Sequence, residues 1–293
     1  MQAWIILKER NKNVNYETDR LLEEGNGEVE LVYHSNVDII IDRNDRRSIR
    51  VKNKVVDLPN VVIPRTGSGT GFFGHSVLRH FERLGVPLLN NSHSIEVTKD
   101  KLYAAQFFAE HHLPTPKTML IKHPANPTAV EEIIGFPCVV KIFAGSYGKG
   151  VYLCHNRQEF QDFIEFAHGI KEDEAIIVQE YINSRPGEDV RVLVVGGKVL
   201  GAMKRSSKDG SFKANITRGG VGENYPINSR IEEIALKTCC ALGLDVAGVD
   251  LLFDKDDYKI CEANSAPGFK GFEKYTGVNV AKAIIDYARY RAT

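Results

Sequence analysis

An α/β fold is expected for this chain, because short apolar strands alternate with amphipathic helices along its 293 residues. Two further observations shape that expectation. Two late apolar runs, AGVDLLFD and DYKICEAN, are joined by a charged turn and read as a hairpin. Two glycine-containing stretches, AGSYGKG and KRSSKDGSFKANITRGG, hold too few apolar residues to be core and read as loops beside a polar ligand.

In chain order, AWIILK, VELVY, VDIIID and NVVIPR read as strands of a first domain. SVLRHFERLG reads as a helix ending at Gly85, and VPLLN as a last strand before Asn91-Ser92-His93. A second segment opens with one helix, TKDKLYAAQFFAEHH, stopped by Leu113-Pro114-Thr115-Pro116. Strand CVVKIF, loop AGSYGKG and strand VYLCH follow. The next helix has Asn156 and Glu159 as a capping box, with Phe160, Phe163, Ile164 and Ala167 as its apolar stripe. A third segment runs from strand AIIVQEYI through the hairpin VRVLVVGGKVLGAMK, turned at Gly196-Gly197. Helix SRIEEIALKTCCALG, with Ser229 and Glu232 as capping box, precedes the late hairpin and a C-terminal helix.

The composition, 43% apolar and 26% charged, is that of a soluble globular protein, long enough to bury roughly three-quarters of its unfolded surface. Lys plus Arg balances Asp plus Glu at 38 each, so charge argues neither for nor against nucleic acid, and direct nucleic-acid binding is not expected. Five cysteines without a CxxC pair read as reduced core thiols. The apolar run in MQAWIILKERN is too short for a signal peptide, and no stretch approaches a membrane span. A cytoplasmic protein with no membrane partner is the expectation.

Three polar residues interrupt the apolar runs of the late hairpin: Asp250, Glu262 and Asn264. A turn at Lys255-Asp256-Asp257 sets Asp250 opposite Glu262, and alternation turns Asn264 to the same face. Two carboxylates and an amide oxygen make a hard, all-oxygen site suited to Mg²⁺ or Mn²⁺ shared with nucleotide phosphates. The same residues also read as the solvent face of an ordinary hairpin. Lys141, inside CVVKIF, needs a partner; it reads as a phosphate ligand or as an edge-strand lysine reaching solvent. The loop after it offers close backbone approach at Gly145, Gly148 and Gly150, with Ser146 and Lys149 as donors. No Walker motif and no kinase HRD or DFG occurs.

Gly69-Thr-Gly71-Phe-Phe-Gly74 matches the dinucleotide fingerprint, yet the acidic residue expected at the end of a second strand has no clean candidate. A loop facing an active cleft is the other reading. Gln179, Glu180, Tyr181 and Ile182 end a strand at a domain junction and could hold an adenine ring. Asp189 and Arg191 share a strand face, with Asp189 placed to bond a ribose hydroxyl. Arg205, Asn215 and Arg218 read either as a solvated basic loop or as a clamp for carboxylate and phosphate oxygens.

Taken in order, these blocks resemble the ATP-grasp superfamily, and within it the RimK-type α-L-glutamate ligases. The resemblance covers nearly the whole chain: VIPR, DKL from Asp100, VVK ending at Lys141, VQEYI, LVVG, RGG from Arg218, DVAGVDLL and EANSAPG. It implies an ATP-grasp fold of the α/β (α+β) class, with a pre-ATP-grasp domain over 1–95. A central subdomain over 96–178 and a C-terminal subdomain over 179–293 follow. It makes Lys101 and Lys141 phosphate contacts, puts Glu180 and Tyr181 at the adenine and Asp189 at the ribose, and sets Lys213, Ala214 and Asn215 near the phosphates. Asp250, Glu262 and Asn264 become ligands of two divalent ions. Relatives often carry Arg-Ser-Asn where this chain has Lys213-Ala214-Asn215, which keeps a charge but loses the bidentate fork. The implied activity is ATP-dependent joining of an amine to a carboxylate through an acyl phosphate, with Arg205 and Arg218 stabilising that intermediate. L-glutamate as amine, a peptide, protein tail or small molecule as acceptor, and a homo-oligomer come from the resemblance alone. A ligase for another amino acid and a non-catalytic ATP-binding module are the alternatives.

Overall fold

The computed structural model describes residues 1–8, 15–42, 48–67, 70–142, 150–170, 175–208, 212 and 220–293. The first unit is built on a parallel sheet ordered β2-β1-β6, from β1 (Ala3–Leu7), β2 (Val29–Tyr33) and β6 (Val61–Pro64). Between β1 and β2 lies α1 (Tyr16–Gly25). The unbroken apolar run of β1 follows from burial on both faces: Trp4 and Ile6 pack with Val77, Leu78 and Phe81, while Ala3 and Ile5 pack with Leu21 and Ile63. VDIIID contributes only β3 (Val37–Ile39), which leaves the parallel sheet to pair with β4 (Ile49–Val51) and, beyond it, β5 (Lys54–Val55). The VPLLN segment reaches the parallel sheet only through a bridge between Val62 and Leu88.

Helix α2 (Phe72–Arg83) covers this sheet. The helix expected over TKDKLYAAQFFAEHH is α4 (Lys101–Glu110), and a separate helix not expected from the sequence, α3 (Ser92–Lys99), precedes it. Asp100 is extended and its carboxylate accepts from the Leu102 and Tyr103 amides, at 2.9 and 3.0 Å. A capping aspartate thus restarts the helix where periodicity alone predicts continuity.

The central sheet is antiparallel, ordered β7-β10-β8-β9: β7 (Thr118–Ile121), β8 (Cys138–Ile142), β9 (Val151–Cys154) and β10 (Ile176–Glu180). Helices α5 (Pro127–Ile133) and α6 (Arg157–Ile170) bury Val130, Phe160, Ile164 and Ala167 on one of its faces. Asn156 accepts from the Glu159 amide at 3.0 Å, and Glu159 reaches back to the His155 amide at 2.9 Å, so the box closes one residue earlier than the standard pattern.

The C-terminal sheet is antiparallel, ordered β13-β12-β11-β14-β15: β11 (Glu188–Val195), β12 (Lys198–Ser206), β13 (Val221–Tyr225), β14 (Val246–Asp254) and β15 (Asp257–Asn264). Gly196 and Gly197 have φ of 57° and 72°, the left-handed pair that a tight two-residue hairpin turn requires. Helix α7 (Ser229–Leu242) packs on one face, capped by Asn228, not Ser229: its Oδ1 accepts from the Ile231 amide at 2.8 Å. On the other face, α8 (Lys270–Thr276) and α9 (Val280–Arg291) share a core with β1, α1 and β6. The first unit and the C-terminal sheet therefore have one continuous apolar contact. Among the described residues no helix is long and apolar enough to cross a membrane, and Cys138, Cys154, Cys239, Cys240 and Cys261 are free thiols, Cys240 exposed.

Candidate active site

The late hairpin reaches the expected pairing by a different route. Its turn has two residues, Lys255 and Asp256, with Asp254 opposite Asp257, which shifts the register by one from a three-residue turn. A bulge at Cys261 then restores it: Leu251 pairs with Ile260, whereas Asp250 pairs with Glu262. Asp250 and Glu262 thereby stand side by side on one sheet face, and Asn264 follows on that face.

The neighbouring strands continue the row. Arg191 on β11 is the cross-strand partner of Asp250, and Asp189 that of Arg205 on β12. Arg191 grips Asp250 with both arms, Nε donating to Oδ1 at 2.7 Å and Nη2 to Oδ2 at 2.6 Å. Arg205 grips Asp189 in the same way at 2.6 and 2.5 Å, and its Nη2 also reaches Asp250 Oδ2 at 3.0 Å. Arg205 is 4% exposed and Asp250 2%, and Asp189 is buried with them, while Arg191 is half-buried at the edge of this quartet of two guanidiniums and two carboxylates. Burial alone would raise the Asp250 carboxyl; Arg191 and Arg205 reverse that and hold it below the usual carboxylate range. Arg205 was expected as a substrate-facing clamp; here its fork is turned to Asp189 instead. Arg191, whose place on the Asp189 face was legible, was not assigned a site role, although a charge in the apolar strand VRVLVV was the available signal.

Glu262 and Asn264 are half-buried and less engaged. Asn264 Nδ2 makes only long contacts, to Glu262 Oε1 at 3.4 Å and to the Gly248 carbonyl at 3.5 Å. Among the described residues no group of three His, Cys, Asp or Glu side chains gathers, so the donor set is two carboxylates and an amide. A carboxylate has about four lone-pair sites, and guanidinium N–H groups take three on Asp250. This set fits a hard divalent ion shared with other oxygen ligands.

From the central sheet comes Lys141, whose Nζ donates to Gln179 Oε1 at 2.6 Å, while Gln179 Nε2 donates to Thr118 Oγ1 at 3.0 Å. Gln179 is thus the partner that the buried lysine required. Glu180 accepts from the Lys117 amide at 3.1 Å and from Lys259 Nζ at 2.9 Å. Its burial is outweighed by Lys259 and Lys117, which hold its carboxyl low. Tyr181 meets Phe212 edge-on at 6.2 Å, and Ile182 is buried beside it in sequence. The bond from Lys259 on β15 to Glu180 on β10 shows that the two sheets converge, with Cys261 nearby on β15. Desolvation pushes its thiol up to about 12, and it feels Lys141 from one sheet together with Glu262, Asp250 and Asp189 from the other.

Gly150 has φ of 73°, and a Cβ there would stand 2.6 Å from the Ile142 side chain; its carbonyl accepts from the Ile142 amide at 2.9 Å. Only glycine closes this loop base. Lys101 is the half-buried first residue of α4. Gly145, Ser146, Gly148, Lys213, Ala214, Asn215 and Arg218 lie outside the described residues. In the fingerprint-like segment, Gly74 has a packing reason: a Cβ there would meet Thr70 at 3.0 Å and the His34 ring at 3.4 Å. A surface groove of about 880 Å³ between α2, α7 and α9 contains none of the candidate residues, and its Arg291 is paired with Asp245 at 2.7 Å.

A lysine-bearing antiparallel sheet facing a second sheet that carries paired carboxylates, behind a small parallel-sheet unit, is the architecture of an ATP-grasp ligase. Residues 98–288 match the family model of the RimK-like ATP-grasp domain, and residues 1–95 that of the RimK pre-ATP-grasp domain. The chain belongs to the RimK family of ATP-grasp ligases. It is 38% identical over 287 residues to a probable alpha-L-glutamate ligase 1 of Shewanella frigidimarina, covering 97% of this chain and 94% of that one. Among solved structures, the ATP-grasp ligase PsnB, complexed with a phosphomimetic variant of its minimal precursor, Mg and ADP, superimposes with a TM-score of 0.76. It is 18% identical, covering 99% of this chain and 98% of that one. A RimK domain ATP-grasp protein of Sphaerobacter thermophilus gives a TM-score of 0.75 at 18% identity, covering 98% and 99%.

Proposed function

We propose that this enzyme, an ATP-dependent ligase, joins the amine of L-glutamate to an acceptor carboxylate that it first activates as an acyl phosphate. The observation that carries the reading is the row Asp250, Glu262 and Asn264 on one sheet face, joined through the Lys259–Glu180 ion pair to the sheet that carries Lys141. The curated relative named as a glutamate ligase supports the amine, and the precursor complex of PsnB supports a peptide-like acceptor. We take 1–95, 96–178 and 179–293 as the three structural units of the reaction, with ATP between the last two.

In this reading Lys101, Lys141 and the glycines and serine at Gly145, Ser146, Gly148 and Gly150 neutralise and cradle the phosphates. The backbone and side chains of Gln179, Glu180, Tyr181 and Ile182 hold the adenine. Asp189 keeps acceptor capacity for a ribose hydroxyl beyond the two oxygens' bonds to Arg205. Lys213, Ala214 and Asn215 border the phosphates. Asp250, Glu262 and Asn264 would hold two Mg²⁺ or Mn²⁺ ions, which supply charge neutralisation at the transferring phosphoryl group. The acceptor carboxylate attacks the γ-phosphorus, ADP leaves, and the amine then displaces phosphate to give the amide. Such transfer needs positioning and charge stabilisation more than a protein nucleophile, which suits a site of lysines, arginines, carboxylates and glycines. Arg205 acts by fixing Asp189 and Asp250, and Arg218 is the arginine assigned to the acyl phosphate.

Glu262→Ala tests the reading, since Glu262 makes only one long side-chain contact among the described residues and its loss spares the fold. ADP formation with glutamate and acceptor should drop by about 10³-fold or more, with unchanged circular dichroism. Undiminished turnover in that variant would overturn the metal assignment.

A further inference from the structure

Asp250 is the most buried carboxylate of the proposed metal site, and a guanidinium already holds both its oxygens. We propose that Arg191 is the resident cation of Asp250: it competes with the divalent ion, so that metal binds together with a nucleotide and not alone. The inference rests on reading Asp250, Glu262 and Asn264 as metal ligands.

Charge is the first argument. Asp189, Asp250, Arg191 and Arg205 form a closed, electrically neutral quartet. Among the described residues, Glu262 is therefore the one carboxylate of the donor set without an ion-pair partner, against the two charges of a metal ion. A free ion at Asp250 would sit beside two guanidiniums in a partly desolvated place, where like charges repel strongly. Nucleotide phosphates bring the missing negative charge with the metal.

Geometry is the second argument, and it singles out Arg191. Arg205 bridges both carboxylates and its side chain is 5% exposed, so it is locked. Arg191 holds Asp250 alone and its side chain is 16% exposed. Beside it lies Gly248, where a Cβ would stand 3.7 Å from Arg191 Nε. The same glycine's carbonyl receives Asn264 Nδ2. That glycine is closely packed, with Pro267 2.9 Å from where its Cβ would stand, so Arg191 can turn only toward its exposed side, and Asp250 would keep Arg205 if it did. Arg191 is a positioning residue in this account, acting through Asp250.

The test measures protein-bound Mn²⁺ by water-proton relaxation enhancement, with and without a non-hydrolysable ATP analogue. Wild type should bind Mn²⁺ weakly alone and about 100-fold more tightly with the analogue. Arg191→Met should bind Mn²⁺ alone about 10-fold more tightly than wild type, so the nucleotide dependence shrinks. Arg191→Lys, which keeps a charge but loses the fork, should lie between them. Folded Arg191→Met with wild-type affinity for Mn²⁺ alone would overturn the proposal. So would wild type binding Mn²⁺ equally well with and without the analogue, a comparison that needs no variant. Glu262→Ala separates the two layers: it should abolish analogue-assisted binding. Binding that survives Glu262→Ala would overturn the metal-site reading itself, and the role of Arg191 with it.

Discussion

At the scale of single residues, Asn90 uses its whole hydrogen-bonding capacity to fasten the first unit to the β14–β15 hairpin. Its Oδ1 accepts from the amides of Asp245 and Val246 at 2.6 and 2.8 Å, and its Nδ2 donates to the carbonyls of Val246 and Ser265, both at 2.7 Å. The side chain is fully buried. Asn90→Ala strands backbone groups at both ends of that hairpin, each worth about 1–3 kcal/mol when unsatisfied. The expected loss is therefore more than about 3 kcal/mol in urea unfolding, and a loss within error of zero would show that water replaces the amide. No sequence signal marks Asn90, because its partners are more than 150 positions away. Asp250 and Glu262 were legible for the opposite reason: carboxylates in apolar strands stand out, and pairing is local. The bulge at Cys261 was not legible, yet it cancelled the shorter turn and left the pair intact.

At the scale of elements, α2 carries a pH dependence. His75 and His80 both lie below their ordinary value of 6.5, chiefly through burial; Lys99 and Arg79 add to it at His75, where Glu96 opposes, and Arg83 adds to it at His80. The unfolded chain takes up these protons first as pH falls. Their contribution to stability is complete above 6.5 and is lost as pH drops through the folded-state values. Melting temperature should fall between about pH 7.5 and pH 5.5, and the fall should be shallower in His80→Gln, which does not titrate but keeps a partner for the Ser48 hydroxyl that lies 2.7 Å from His80 Nε2. An identical slope in that variant would remove His80 from the account. The helices themselves were largely readable from their apolar stripes. Their ends were not, where capping competes with periodicity: Asp100 delays the start of α4 to Lys101, and Asn228 takes the cap from Ser229.

At the scale of the molecule, two sheets meet through Lys259 and Glu180: one carries Lys141, the other the row of carboxylates and arginines. The first unit does not join that row; its strands β1 and β6 share an apolar core with α8 and α9, and that core packs on the face carrying the row, at the Val195 and Val246 end of the strands. The order of blocks made the fold class and the two-sheet site legible. Arg191 and Arg205 were legible as charges but not as a closed quartet with Asp189 and Asp250, because that depends on register across three strands. The protein is incubated with ATP, Mg²⁺ and single amino acids, with and without cell extract, and ADP and new products are followed by mass spectrometry. Glutamate-dependent ADP release, with products heavier by whole glutamyl units, is the predicted result. ADP release confined to a different amino acid would contradict the glutamate assignment, and tight ATP binding without ADP under every condition would contradict the proposed reaction itself.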